Sequence, residues 1–427
     1  MHFRTPLVTL VALAVHRSYA APRAFSRRGQ GGNPIPFSPG YPVQLVVDLA
    51  QNISSHSWEF GTATETLLEL YNPELSIFGA FPFEAAKKLG DGQTLPRGLA
   101  YAQEKIVIGT GPNALSDGDG AVGDPASLGV GAVLLGKRSG NEKFAAAAKA
   151  TVDYVTTGAP RAPNGAISHR VAYVELWADF IYMVPPFLAY YAADTANITL
   201  LREAVNQCQL YRDSLQANDF SSFSGLWHHI EGPVNQDLGL WSTGNAWAAA
   251  GMTRVLATVL KAPFLKSTDN SDWRGGAVLQ LTSLIKEIVD GAIDAGADSY
   301  EGGLAKNYFD QPKWFGETSG SSLLAATVYR MAVLSPGVFG LDGVNGKYVK
   351  WAEGIRKTLG SQFVDSNSGE TLDHVDRVNG TVRPAVNPLG WGDTKPWMTG
   401  SPEGQSFATL LYAAWRDCVF ASVCERD

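Results

Sequence analysis

The chain of 427 residues reads as an all-α protein, an (α/α)6 barrel, on three observations. Apolar residues recur at helical spacing in segments of roughly 12 to 20 residues, convincing period-2 alternation is scarce, and the connections between alternate segments are long. About twelve segments are marked, near 43–55, 61–71, 94–109, 124–136, 140–156, 171–193, 198–216, 241–260, 277–295, 316–334, 345–363 and 402–416. Twelve antiparallel helices make six hairpins, and six hairpins can close into a double ring with the inner helix starts at one mouth. An α-solenoid is the weaker alternative, because no repeat of fixed length is visible.

Taken in order, the chain opens with His2 and Arg4, an apolar run from Pro6 to Val15, and Ser18-Tyr19-Ala20. That pattern predicts a secretory signal peptide over 1–20; its apolar run is too short to span a bilayer. Residues 21–40 are rich in Arg, Gly, Pro and Ser and read as a flexible lead-in, with Arg27-Arg28 a processing site. From 41 to 427 no linker-like polar run interrupts the pattern, and 45% hydrophobic content suffices for one large core, so a single domain is expected. A net charge of −7 without a basic cluster argues against nucleic acid and against a polyanionic membrane surface.

Sequons at Asn52, Asn197 and Asn379 agree with an extracellular protein carrying N-glycans. Three cysteines are too few for a disulfide framework, although Cys418 and Cys424 could close a small loop and leave Cys208 as a buried thiol. No Cys and His spacing resembles a zinc site, and no metal or organic cofactor motif is visible.

Chemistry-bearing residues crowd five places. The segment 124–136 opens on Gly123-Asp124-Pro125, where Asp124 would also make a good N-cap. Ser168-His169-Arg170 leads into Val171–Tyr191, VAYVELWADFIYMVPPFLAYY, read as one helix that sets Asp179 among Trp177, Phe180, Tyr182 and Phe187. An ionised carboxylate in such surroundings costs several kcal/mol, so Asp179 needs a partner, a raised pKa or a function such as general acid. Pro185-Pro186 is expected to kink or end this helix. The remaining places are Gly225-Leu226-Trp227-His228-His229, Trp241 to Trp247 (WSTGNAW), and Gly316 to Ser319, and long Gly-, Trp-, His- and Asp-rich loops at 111–123, 221–240 and 367–402 join them. Aromatic faces with carboxylates, imidazoles and hydroxyls are what a sugar cleft requires.

WEFG at 58–61, DPASLGVG at 124–131, SHR at 168–170, ELWADFIYMVPPF at 175–187, GLWHH at 225–229, WSTGNAW at 241–247, ETSGSS at 317–322 and SPEGQSF at 401–407 together resemble glycoside hydrolase family 105. These are the unsaturated rhamnogalacturonyl hydrolases; the family 88 unsaturated glucuronyl hydrolases are more distantly similar. The resemblance implies a six-hairpin barrel that hydrates the C4–C5 double bond of a 4,5-unsaturated uronic acid on a lyase-generated oligosaccharide of pectin, rhamnogalacturonan or glucuronan type. It implies Asp179 as the general acid/base and Asp124 as its second acid, with His169 and His229 near the sugar and Trp177, Trp241, Asn245 and Trp247 around it. A histidine satisfying a loop carbonyl is the competing reading of His169.

Two positions depart from the family pattern. Thr243 stands where many relatives carry an arginine suited to gripping a carboxylate, and Glu175 stands where relatives often have glutamine. On a continuous helix Glu175 would lie one turn before Asp179, each carboxyl raising the pKa of the other, and both departures bear on substrate binding. The other readings are a hydrolase of saturated glycosides using Asp179 with Asp124, and a carbohydrate-binding protein whose activity has lapsed.

Overall fold

The computed structural model describes residues 32–90, 94–217, 223–266, 270–295, 303–341, 346–365 and 368–426. The expected signal peptide, the first part of the lead-in and Arg27-Arg28 lie outside the described residues.

Twelve helices build two concentric rings among the described residues. The outer ring is α1 (Val43–Ile53), α3 (Arg97–Lys105), α5 (Glu142–Asp153), α7 (Ile198–Leu215), α9 (Ser271–Asp294) and α11 (Lys347–Leu359). The inner ring is α2 (Ser57–Tyr71), α4 (Gly129–Leu135), α6 (Phe180–Asp194), α8 (Ser242–Lys261), α10 (Thr318–Leu334) and α12 (Pro402–Phe420). Each inner helix packs on the next, and α12 returns to α2, so the (α/α)6 barrel closes as the periodicity predicts.

The two rings differ in sequence for a physical reason. In α1 the buried residues are Val43, Val46, Val47 and Ala50, the single apolar stripe of a helix with one face in water. In α8 every residue from Ser242 to Val259 is buried, so small and apolar residues occupy all sides. The segment expected over 124–136 is two pieces, a short turn of helix at Gly123–Ala126 and then α4.

The largest departure is at 171–193, where the helix begins only at Phe180. Leu176–Trp177 form a strand, β1, antiparallel to β2 (Ile230–Glu231), and Ala178 N donates to His229 O at 2.9 Å. Ser168 Oγ accepts from Glu175 N at 3.0 Å, and His169 N donates to Glu175 O at 2.8 Å. Backbone groups that a helix would have used internally are thus paired across the mouth, and apolar periodicity is blind to that competition.

Pro185 and Pro186 lie inside α6 rather than ending it. Their missing N–H groups free the carbonyls of Ile181 and Tyr182 four residues earlier. Gly251 of α8 rests against this turn: a Cβ there would stand 2.1 Å from Ile181 O. Gly251→Ala is therefore expected to destabilise the protein by about 1–3 kcal/mol through overpacking. Thermal unfolding measures this, and an unchanged midpoint would contradict the packing argument.

At the end of the barrel away from the inner helix starts, five charged side chains meet. Glu65 and Glu69 of α2, Arg254 of α8, Arg330 of α10 and Asp417 of α12 form a buried chain of ion pairs with Arg254–Glu65 at 3.0 Å, Arg330–Glu69 at 2.6 Å and Arg330–Asp417 at 2.6 Å. Arg254 also pairs with Glu69, and Phe78 lies under both guanidiniums.

The second part of the expected lead-in is held against the barrel. Phe37 meets Trp415 edge-on at 5.2 Å, Tyr412 Oη donates to Phe37 O at 3.0 Å, and Arg416 Nη1 donates to Pro34 O at 3.0 Å. Two apolar side chains here, Ile35 and Phe37, bury surface that the glycine- and proline-rich composition around them conceals. Cys418 and Cys424 form a disulfide, and Cys208 is a free, buried thiol. Among the described residues no helix is long and apolar enough to cross a membrane.

Candidate active site

The inner helices start around one mouth, and carboxyl groups gather at those starts. Glu59 lies in the first turn of α2, Asp124 in the short helix before α4, Asp179 at the N-cap of α6, Glu317 at the N-cap of α10 and Glu403 in the first turn of α12. Helix N-termini carry partial positive charge, which favours acidic side chains there. Helix α8 begins without an acid; Ser242 Oγ and Thr243 Oγ1 instead donate to Glu317 Oε1 at 2.9 and 3.2 Å.

Asp124 is not the N-cap that its position suggested. Val122 occupies that place, and Asp124, one residue inside the helix, makes no capping bond. Its side chain is 14% exposed, and its Oδ1 stands 3.7 Å from His169 Nε2. Burial, and then the charge of Asp179, push its carboxyl up to about 8, with Arg170 acting in the opposite direction. His169 is buried with its ring stacked on Trp177 at 4.8 Å, and burial pushes its imidazole down to about 3, so it is neutral at working pH.

Asp179 is 16% exposed and faces His229, with Oδ2 to Nε2 at 3.4 Å. The other side of that imidazole, Nδ1, meets Asp237 Oδ2 at 3.0 Å, and Tyr308 Oη donates to the same Asp237 oxygen. Burial pulls the His229 pKa down, but the bonds and charges of Asp179 and Asp237 outweigh it and hold it above the ordinary value. Burial likewise acts upward on Asp237, and its bonds to His229 and Tyr308 prevail to keep it below the usual carboxylate range. Asp237, His229 and Asp179 therefore form a line, with an imidazole whose charged form is favoured between two carboxyl groups.

Aromatic rings enclose this line. Trp241 lies 4.4 Å from the His229 ring with its Nε1 on Asn307 Oδ1 at 2.9 Å, and Trp391 stands edge-on to both His229 and Trp177, at 5.2 and 5.5 Å. Gly244 lets the Trp241 ring lie close, since a Cβ there would come to 3.1 Å from that ring. Near α12, Trp58 Nε1 donates to Glu403 Oε1 at 3.0 Å; burial and then the charge of Asp179 raise the Glu403 pKa well above the usual carboxylate value.

Four expected cleft residues prove to be scaffold. Glu175 is fully buried on the strand side, not one helical turn below Asp179. Its carboxylate accepts from Asn235 N at 2.7 Å, Trp177 Nε1 at 2.8 Å, Asn235 Nδ2 at 2.9 Å and Val234 N at 3.1 Å. Burial acts upward on Glu175, but these bonds win and its pKa is lowered, the opposite of the expected mutual raising with Asp179. Asn245 spends its amide on Trp227 N, Trp227 O and Trp241 O; Thr243 is buried against Glu317; Trp247 packs between Tyr182 and Phe407. The structure does bring together Asp124, Asp179, His169, His229, Trp177 and Trp241.

Sequence reasoning missed Asp237, Tyr308 and Trp391. Asp237 follows the GLWHH element inside a long loop, and Trp391 stands between Gly390 and Gly392 in another, so length and composition marked the loops but not the residues.

A double helical ring with acids and aromatics at the inner helix starts is the six-hairpin glycosidase architecture, and the protein is a glycoside hydrolase of this fold. Residues 121–274, which hold Asp124, His169, Asp179, His229 and Asp237, match the family model described as Glycosyl Hydrolase Family 88. Among solved structures, the chain is similar to a family 105 glycoside hydrolase from C. acetobutylicum ATCC 824, with 15% identity, TM-score 0.59, and 88% of this chain and 99% of that one covered. It is also similar to a family 88 glycosyl hydrolase from Bacteroides vulgatus, with 16% identity, TM-score 0.57, and coverage of 88% and 97%. An unsaturated glucuronyl hydrolase from Bacillus sp. GL1 is similar at 15% identity and TM-score 0.52, with coverage of 87% and 94%. A comparison with the curated proteins gives no match. The resemblance to families 105 and 88 is borne out by these findings.

Proposed function

We propose that the protein hydrates the C4–C5 double bond of a 4,5-unsaturated uronic acid at the non-reducing end of an oligosaccharide left by a polysaccharide lyase, with Asp179 as general acid/base. The observation that carries this reading is the approach of Asp179, at 3.4 Å, to the His229 imidazole, whose charged form is favoured, beside Asp124, whose carboxyl holds a proton at neutral pH. A single acid that gives a proton and takes one back is what addition of water to an alkene needs.

In this mechanism the sugar lies among Trp177, Trp241 and Trp391. Burial and the neighbouring charge of Asp179 keep a proton on Asp124 at neutral pH, and in this mechanism that proton passes through Asp179. Asp179 delivers that proton to C4, and the positive charge of His229 stabilises the carboxylate left behind. Water adds at C5, and its departing proton returns to the carboxylate. The product is a hemiketal; its C5–O bond opens to a ketone, and the anomeric carbon then releases the neighbouring sugar without direct attack on it.

The proton on Asp124 fixes a pH dependence. Below about pH 8 Asp124 is neutral; above it Asp124 becomes negative and the site loses the proton to be delivered. The rate is expected to fall as pH rises through about 8, and Asp124→Asn is expected to lower the rate at neutral pH and to leave no limb near pH 8. A wild-type profile flat to pH 9.5 or higher, roughly a unit and a half above that midpoint, would contradict the role given to Asp124.

The family 88 match and the likeness to an unsaturated glucuronyl hydrolase support this chemistry. Action outside the cell is part of the same proposal, supported by the Cys418–Cys424 disulfide and by exposed sequon asparagines Asn52, Asn197 and Asn379. Loss of the alkene's ultraviolet absorbance on incubation with unsaturated disaccharides tests the reaction; glycan removal followed by mass measurement tests the sequons.

A further inference from the structure

A cavity of about 590 Å³ adjoins the Asp179–His229 pair. It shares a wall with that pair, because Asp237 both holds His229 Nδ1 and lines the cavity, and Trp391 both flanks His229 and forms the cavity's edge. The volume lies within the roughly 300–1,000 Å³ of small-ligand sites.

The lining has two kinds of group. Trp391, Tyr308 and Trp314 supply ring surface, Trp314 being set by an edge-on contact with Tyr308 at 4.8 Å. Asp237, Asp310 and Gln311 supply polar atoms, and no lysine, arginine or histidine lines the cavity among the described residues. Asp310 is fixed in place by accepting from Leu240 N at 3.1 Å, and Asp237 is ionised and held by His229 and Tyr308. Ring faces favour the C–H face of a sugar, and oxygen acceptors favour its hydroxyls. A sulfate or carboxylate placed here would meet the Asp310 carboxyl with no cation in the lining to offset it, the Asp237 charge being matched by His229 behind it.

We infer that this cavity seats the sugar next to the unsaturated residue and selects a neutral one, rejecting a neighbour that carries sulfate or carboxylate. The inference rests on the hydration reading and adds to it the class of oligosaccharide. Trp314 is the stacking surface, and Asp310 is the discriminating charge.

The test compares unsaturated disaccharides that differ only at the second sugar: a neutral hexose or deoxyhexose, the same position sulfated, and a uronic acid. The neutral neighbour is expected to give kcat/KM at least about tenfold higher than either anionic one, chiefly through KM. Asp310→Asn, which keeps an oxygen for Leu240 N, is expected to narrow that gap, and Trp314→Ala to lower kcat/KM for all three without changing their order. Equal rates for neutral and anionic neighbours, or an unchanged gap in Asp310→Asn, would overturn the inference while leaving the hydration reading standing. Calorimetric binding to Asp179→Asn gives the same comparison without turnover. If no disaccharide is hydrated but neutral ones still bind more tightly, the hydration reading falls and the cavity's selectivity stands; binding without that preference overturns the selectivity.

Discussion

Replacing Asp179 by asparagine is expected to lower kcat by about 10²–10⁴-fold with little change in folding stability. The side chain keeps its size and its place at the N-cap of α6, yet can neither give nor accept the transferred proton. His229 loses one of the two carboxylates that hold its charge, retaining Asp237 at 3.0 Å. The loss should therefore appear in kcat more than in KM, because the aromatic walls proposed to seat the sugar are untouched. Initial rates followed by alkene absorbance, with circular dichroism as the folding control, measure it. Full activity in a folded Asp179→Asn protein would rule out the proposed acid.

At the opposite end of the barrel, Glu69→Gln is expected to cost about 3–5 kcal/mol of stability. Glu69 is the shared partner of two buried guanidiniums, Arg254 and Arg330, which approach it from different inner helices. Without its charge, Arg254 retains Glu65, and Arg330 retains Asp417, but both cations stay buried with less than a full complement. Phe78, stacked under both at 5.3 and 4.4 Å, offers only cation–π compensation. The network ties α2, α8, α10 and α12 together, so the loss should appear as a lower cooperative midpoint in chemical denaturation. Activity well below that midpoint should change little, since the network lies away from the inner helix starts. A shift below about 1 kcal/mol would show that the ring does not depend on these ion pairs.

The helices were legible because burial writes itself into periodicity. The stripe of Val43, Val46, Val47 and Ala50 in α1 and the all-round burial of α8 are both readable from residue order. The stretch before Asp179 was not, because β1 and β2 are held by backbone bonds between segments about fifty residues apart, and neither carries enough residues to show an alternating pattern. That single misplacement put Glu175 on the face of Asp179, when its carboxylate is consumed by Asn235, Val234 and Trp177.

In the site, the two aspartates, the two histidines and the nearer tryptophans singled out by their pattern are brought together by the fold. Asn245 and Trp247 belong to the same motif but serve the scaffold, one bridging backbone groups and the other filling the core beside Phe407. A motif records which residues are required without saying whether they touch ligand. Asp237, Tyr308 and Trp391 reach the site from separate loops, a convergence that only the folded barrel creates.

Turnover of an unsaturated disaccharide in D₂O, followed at early times by NMR together with absorbance, tests the central claim most directly. Hydration led by Asp179 predicts that alkene absorbance disappears and that C4 of the uronyl product gains one deuteron as the neighbouring sugar is released. Release of that sugar with the alkene intact and C4 unlabelled would contradict it, and would instead indicate direct hydrolysis at the anomeric carbon.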